Sequence, residues 1–569
     1  MNTTEIETLN VIPRPARIAC DPTGAHTPLT AAHLLVCRDA ALGRVFAETL
    51  FDETGLRLAL VPDEMDAAGR PAIVIDAASC LATADATVAH AEGYALDIAI
   101  DGNIRIEASA RAGAFYALQT LVQLLSRPNG NGESNGDGDG AGFSLPVAAI
   151  HDAPRFQWRG VLLDESRHFF GPVAVRRLLA IMARFKLNTL HWHLTDDQGW
   201  RIEIKKFPLL ARTGAWRPSS PVPAARDKTD GVPYGGCYSQ DEIREIVAFA
   251  HSLHIAIVPE IEVPGHSSAA LAAYPQFGNT DAAGYAPPAV ATHWGIFPNT
   301  WAPREETFAF LDAVFDEVCA LFPDTPFFHI GGDEAPKTQW EASGLAQDVM
   351  RENGLADAFG LQSWFIHRVE KMLAARGRRI VGWDEIQEGG LSPTAVMMIW
   401  RDVKWARLAL ENGNDIVMTP ASHCYLDHTG GDTPQTVADP WFEYIGGIGN
   451  RDTVLPLEKV YGFEPVPAGT PPERERQVLG CQANLWSEYL FDWTKAEYHL
   501  FPRLFALAEV AWSPPGKRDF ENFRDRLPAA LRYLDRAGVN YRRPDGSPAR
   551  RGGPERDLAG ESVQPRTPR

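Results

Sequence analysis

The sequence has little cysteine and spreads it thinly. Its seven cysteines (Cys20, Cys37, Cys80, Cys237, Cys319, Cys424, Cys481) are odd in number and form no C-x-x-C pair. That argues against a disulfide framework and predicts reduced thiols in a cytoplasmic compartment. No apolar run approaches the roughly 20 residues a membrane-spanning helix needs, so no membrane partner is expected. The opening "MNTTEIETLNVIPRPARIA" lacks a basic start followed by an apolar stretch, the mark of an export signal. Positive charge is also in deficit: 54 Lys and Arg stand against 73 Asp and Glu, a net charge of −19. Such a chain repels phosphate backbones, which excludes nucleic acid as an expected partner. What it has in quantity is tryptophan, fifteen residues, many of them close to acids. That mix suits a ligand with one apolar face and one rich in hydroxyls.

At 569 residues and 45% hydrophobic, the chain can hold a large barrel and a smaller unit. Residues 1–153 read as a small α+β domain. "YALDIAIDGNIRIEAS" alternates Tyr94, Leu96, Ile98 and Ile100 on one face, turns at Asp101-Gly102 and resumes at Ile104 and Ile106, a hairpin signal. A helix carrying Ala114, Leu118, Leu121, Val122 and Leu125 follows, then a glycine-rich loop over 129–142. From residue 154 to 541, eight short apolar runs alternate with helical segments or longer loops: "GVLLDES", "LNTLHWHLTD", "IAIVPEIE", "FFHIGGDE", "RRIVGWDE", "AVMMIW", "NDIVMTP" and "VLGCQANLWSE". Pro172 opens one helix, with Val175, Leu178, Leu179 and Met182 in a stripe. Ser239 and Glu242 form a capping-box pattern before another, whose stripe is Ile243, Ile246, Val247 and Ala250. A third carries Phe308, Leu311, Phe315 and Val318. The expected fold is α/β, a (β/α)8 barrel behind a small α+β domain, with residues 542–569 as a disordered tail.

In such a barrel the site is built from the C-terminal ends of the strands. The apolar runs end in Asp164 with Arg167 just after, Asp196-Asp197, Glu260 to His266, Asp333-Glu334, Trp383, Trp400, Tyr425 with Asp427, and Trp486 with Glu488. The adjacent acids Asp333 and Glu334 pose a problem. Glycosidases ordinarily set two carboxylates across a sugar bond, whereas neighbours on a strand face opposite ways. The opposing nucleophile has no evident source.

The blocks "LLDESRHFF", "HWHLTDDQGWRIEI", "PEIEVPGH", "HIGGDE" and "VGWDEI", then "MIW", "CYLDH" and "LWSE", resemble glycoside hydrolase family 20, the β-N-acetylhexosaminidases, over about residues 10–515. The resemblance implies a retaining, exo-acting hydrolase that releases terminal β-linked N-acetylglucosamine or N-acetylgalactosamine from chitooligosaccharides or other glycans. It also implies an answer to the missing nucleophile: the substrate's own 2-acetamido oxygen attacks, through an oxazolinium intermediate. Glu334 is then the general acid and base, and Asp333 orients the acetamide and stabilises the cation. His266 and Asp196 match a relay towards Glu334, with Asp197 left open as the alternative and Glu262 as a supporting group. Arg167, Asp427 and Glu488 match the sugar-hydroxyl ligands. Trp383, Trp400 and Trp486 match the aromatic walls, and Tyr425 the donor to the acetamide carbonyl. Trp294 and Trp301 are candidates for an outer subsite. No cofactor and no metal are expected.

Three rival readings are open. His191 and His193, two apart in "HWH", fit a metal-dependent hydrolase, but fall within the second run rather than at a strand end. A double-displacement glycosidase needs another carboxylate about 5 Å from Glu334. A catalytically inactive amino-sugar-binding barrel needs no proton donor, which Glu334 offers. Oligomeric state is not readable.

Overall fold

The computed structural model describes residues 9–550 apart from 68, 78–85, 127–141, 223–224 and 430–453. Most of the predicted glycine-rich loop and residues 551–569 of the predicted tail lie outside the described residues. Two compact units are formed. The first comprises residues 1–157, 184–186 and 508–537, the second 158–183, 187–507 and 538–569. Residues 508–537 follow the last barrel strand in sequence yet cluster with the first unit.

The first unit is built on a mixed seven-stranded sheet, in the order Arg17–Cys20, Ala148–Asp152, Tyr94–Ile98, Ile104–Ala108, Ala72–Asp76, Leu34–Cys37 and Ala59–Val61. The predicted hairpin is present, with Tyr94 opposite Ala108 and Ile98 opposite Ile104. Ile100 departs from the expected face. Ala99 already bonds back to Asn103 across the turn, and Ile100 is 64% exposed. The helix Arg111–Leu124 buries Ala114, Leu118, Leu121 and Val122, and Leu125 leaves it as the extended C-cap.

The second unit is a closed barrel of eight parallel strands, matching the eight apolar runs. They are β1 Trp158–Asp164, β2 Thr189–His193, β3 Ala256–Glu260, β4 Phe327–His329, β5 Arg379–Trp383, β6 Val396–Ile399, β7 Ile416–Met418 and β8 Val478–Leu485. All eight are almost wholly buried, because helices cover one face and the barrel interior fills the other. Inside, Leu162, Val258, Val381, Val396, Met398 and Val417 form one cluster with Trp158 and Trp383. Truncating such a side chain, as in Leu162→Ala, costs about 2–5 kcal/mol. The predicted helices form as read. Ser239 Oγ accepts from the Glu242 N–H at 3.2 Å while the Ser239 N–H donates to Glu242 at 2.9 Å, capping the helix Gln240–Ser252. Helices Pro172–Arg184 and Glu305–Leu321 bury their stripes in the same way. Among the described residues no helix is long and apolar enough to cross a membrane.

The strand register does more than close the barrel. It sets Asp164 opposite His193, His193 opposite Glu260, and Glu260 opposite His329. Four successive strands thus carry ionisable groups at one level, directly under the C-terminal rim.

Candidate active site

The rim is reached from β4 by an unusual backbone. After His329 and Ile330 the chain turns through Gly331 (φ 67°) and Gly332 (φ 91°) to Asp333 and then Glu334, which has φ 44°. A Cβ on Gly331 would lie 1.7 Å from Glu262 Oε2, and one on Gly332 2.5 Å from Ile386 Cγ2. Only glycine meets both the left-handed geometry and the space. Glu334 itself holds a left-handed conformation that costs a non-glycine residue about 1–2 kcal/mol. His266, across the rim, has φ 45°. Strain of this kind collects where function over-determines the backbone.

His266 faces the acid pair without a hydrogen bond to it. Its Nε2 lies 3.7 Å from Asp333 Oδ2 and 3.7 Å from Glu334 Oε2. On its other side Nδ1 is 3.0 Å from Asp197 Oδ2 and 3.3 Å from Asp196 Oδ1. Asp197 also accepts from the Ser268 N–H at 2.9 Å, while Asp196 Oδ2 binds Arg167 Nη2 at 2.7 Å. The two neighbouring acids therefore divide: Asp197 anchors the histidine, and Asp196 joins histidine to arginine.

Charge in this largely buried rim is strongly shaped. Burial disfavours the His266 cation, yet Asp196 and Asp333 outweigh it and hold its pKa well above the ordinary histidine value. Asp333 is pushed up to about 7 by burial, with Glu334, Glu260 and Asp196 adding to the rise and His266 opposing it. Burial, then Asp333 and Glu260, push Glu262 well up. Asp333 Oδ1 is buried and has no hydrogen-bond partner among the described residues.

Arg167 is held from three sides. Nε donates to Gln198 Oε1 at 3.0 Å, Nη1 lies 3.4 Å from Asp164, and the guanidinium sits 5.2 Å over the Trp486 ring. Burial opposes its charge, but Asp196, Asp164 and Glu488 more than compensate. Glu488 is raised by burial against the pull of Arg167. Asp427, half-buried, follows two residues after Tyr425.

Aromatic rings close the other side. Trp383 and Trp486 lie 5.6 Å apart, Tyr425 and Trp486 6.2 Å, and Trp400 and Tyr425 6.2 Å with planes at 19°. Two indoles are fixed by acids beneath them. Trp383 Nε1 donates to Glu260 at 3.0 Å, and Trp400 Nε1 to Glu385 at 3.0 Å. Trp294 is half-buried, 5.6 Å from His168. Trp301 does not line a subsite. It is fully buried, donating to the Glu262 carbonyl and packing its ring 5.4 Å from that of Phe310.

His191 and His193 lie wholly buried below the rim, each with polar partners. His193 Nδ1 faces Asp164 at 3.0 Å and Nε2 faces Glu262 at 3.2 Å. His191 Nδ1 is 3.0 Å from Gln482 and Nε2 2.9 Å from Glu260. His191, Glu260 and His329 have donor atoms close enough to hold a metal, as do His193, Glu260 and Glu262. Both ring nitrogens of His193 are hydrogen-bonded by these contacts, whereas His191 Nε2, although 2.9 Å from Glu260, makes no hydrogen bond among the described residues. Glu260 stands in the sequence only as a strand end with no role attached, and Glu385 and Gln198 are not singled out there. Glu385 carried a signal, lying in "VGWDEI" two residues past Trp383.

A parallel barrel whose C-terminal rim carries an acid pair, a buried arginine and a group of aromatic rings has the layout of a sugar-processing barrel. Residues 156–515 match "Glycosyl hydrolase family 20, catalytic domain" and residues 8–153 match "Glycosyl hydrolase family 20, domain 2". The chain belongs to this family. It is 43% identical over 456 residues to a protein of Porphyromonas gingivalis named β-hexosaminidase, covering 80% of this chain and 55% of that one. A β-hexosaminidase of Vibrio furnissii is 39% identical over 412 residues, 71% of this chain and 63% of that one. The chain thus spans under two thirds of the length of both relatives. Among solved structures, the exo-β-N-acetylglucosaminidase of Vibrio harveyi in complex with N-acetylglucosamine superposes with a TM-score of 0.78. It is 32% identical, over 96% of this chain and 80% of that one.

Proposed function

We propose that the chain is a retaining exo-β-N-acetylhexosaminidase that hydrolyses terminal non-reducing β-linked N-acetylglucosamine by substrate-assisted catalysis. The observation that carries this reading is the arrangement of the acid pair. Asp333 and Glu334 both lie 3.7 Å from one histidine nitrogen, at the C-terminal rim of the barrel. Two carboxyls on the same side of a sugar suit different tasks better than opposed attack. Glu334 gives its proton to the leaving glycosidic oxygen, then takes one from water. Asp333 accepts from the acetamide N–H, turns the carbonyl oxygen towards the anomeric carbon and offsets the positive charge of the ring that forms. Attack by a tethered oxygen gains the effective concentration of a pre-oriented group.

Trp383, Trp400 and Trp486 wall the acetamido methyl and the sugar face, Tyr425 donates to the acetamide carbonyl, and Arg167, Asp427 and Glu488 bind hydroxyls. His266, held between Asp196 and Asp197 on one side, faces both carboxyls of the acid pair at 3.7 Å on the other. The relatives' names, and the N-acetylglucosamine in the complex of the Vibrio harveyi enzyme, support the same reading. The test compares a chromogenic β-N-acetylglucosaminide with the matching β-glucoside. The reading expects turnover of the first and almost none of the second; equal rates contradict it.

A further inference from the structure

We propose that Glu385 is a positioning residue that sets the Trp400 wall of the acetamide pocket and ties it to the loop bearing Asp333 and Glu334. The inference rests on the function proposed above and extends it to a residue outside the direct sugar contacts.

A one-turn 3-10 helix, Asp384–Gln387, follows β5. Its residues face two loops at once. Towards β6, Asp384 Oδ2 accepts from the Trp400 and Arg401 backbone N–H groups, each at 3.0 Å. Glu385 Oε2 then accepts from Trp400 Nε1 at 3.0 Å. Trp400 is thus held at backbone and ring by consecutive carboxyls, which fixes the swing of the indole as well as its base.

Towards β4, Ile386 fills space that two glycines leave open. A Cβ on Gly332 or on Gly382 would come within 2.5 Å and 2.6 Å of its Cγ2. Gln362 crosses the same seam, donating through Nε2 to the Gly332 carbonyl at 3.2 Å and the Glu385 carbonyl at 3.5 Å. Lys337 in turn donates to Gln362 Oε1 and to the Ala335 carbonyl. Movement of the turn therefore moves the indole and the acid-bearing loop together.

Glu385 is only 5% exposed, and its other oxygen lies 3.4 Å from Arg401 Nη1. Burial, then the charges of Asp333 and Asp384, push its pKa up to about 9 despite that arginine. A neutral carboxyl still offers an oxygen to the indole, so glutamine is a close substitute and leucine is not.

The test measures kcat and KM of wild type, Glu385→Gln, Glu385→Leu and Trp400→Phe on chromogenic glucosaminides bearing N-acetyl and the longer N-butanoyl group. The wild type should favour acetyl. Glu385→Leu should lower kcat for the acetyl substrate about tenfold or more and shrink the acetyl-to-butanoyl preference several-fold. Glu385→Gln should recover most of both. Trp400→Phe keeps a ring but loses the N–H, and should shrink the preference in the same direction even if Glu385→Leu fails to fold. Wild-type preference in Glu385→Leu or in Trp400→Phe overturns the inference, as does a Gln variant as impaired as a folded Leu variant. A wild-type enzyme indifferent to the 2-acetamido group overturns the underlying reading first, which separates the two failures.

Discussion

Asp333 and Glu334 are neighbours in the chain, yet their carboxyl oxygens both lie 3.7 Å from a single nitrogen of His266. Extended backbone would have sent them to opposite faces. The left-handed turn through Gly331, Gly332 and Glu334 brings them to one side instead.

That turn is the first thing to break. Gly331→Ala would force a methyl into Glu262 Oε2 and a side chain into φ 67°. The backbone term alone is about 1–3 kcal/mol, and the clash adds to it. A lowered melting temperature with activity lost is expected; wild-type stability would contradict the description of the turn.

Glu334→Gln removes the proton donor. Turnover of substrates with poor leaving groups should fall about 10²–10⁴-fold, and activated aryl glycosides, which need less protonation, should lose less. Equal losses across leaving groups would remove Glu334 from its role.

Asp333 must be ionised to offset the positive charge of the ring that forms, and burial holds its pKa up to about 7. As pH falls through that range it takes a proton, so kcat/KM should decline on the acid side from well above the ordinary carboxylate range. Asp333→Asn should be slow and should lack that limb. A variant that keeps the limb assigns it elsewhere.

Glu165 gives a prediction about stability. Burial pushes it up to about 8 from 4.5, against hydrogen bonds from Tyr238 and the Phe170 and Gly171 N–H groups. Between those values the folded state holds a proton that the unfolded state releases, so stability falls as pH rises from about 4.5 to 8. Glu165→Gln should flatten that part of a urea-midpoint profile, whatever its offset. An unchanged slope would mean Glu165 is ionised in the fold.

The barrel was legible because each strand is a short apolar run between helix signals, and its rim because most runs stop at an acid or a tryptophan. Register was not legible. Nothing in "VLLD", "HWH", "VPE" and "FFH" says that Asp164, His193, Glu260 and His329 share one level, since pairing depends on barrel closure. That His193 lies between the carboxyls of Asp164 and Glu262 follows from this register and not from the local sequence. Trp301 reads as an outer-subsite candidate because its burial comes from contacts distant in sequence, with the Glu262 carbonyl and the Phe310 ring, which local pattern does not record. Glu385 escaped because attention to strand ends favours side chains that could touch a ligand over those that hold such side chains still.

The most direct test of the central claim varies the attacking oxygen itself. Replacing the substrate's N-acetyl group by mono-, di- and trifluoroacetyl withdraws electrons from the carbonyl oxygen while changing its size little. If that oxygen forms the bond to the anomeric carbon, kcat should fall stepwise with each fluorine. Rates that ignore fluorination would assign the attack to another group and contradict the account.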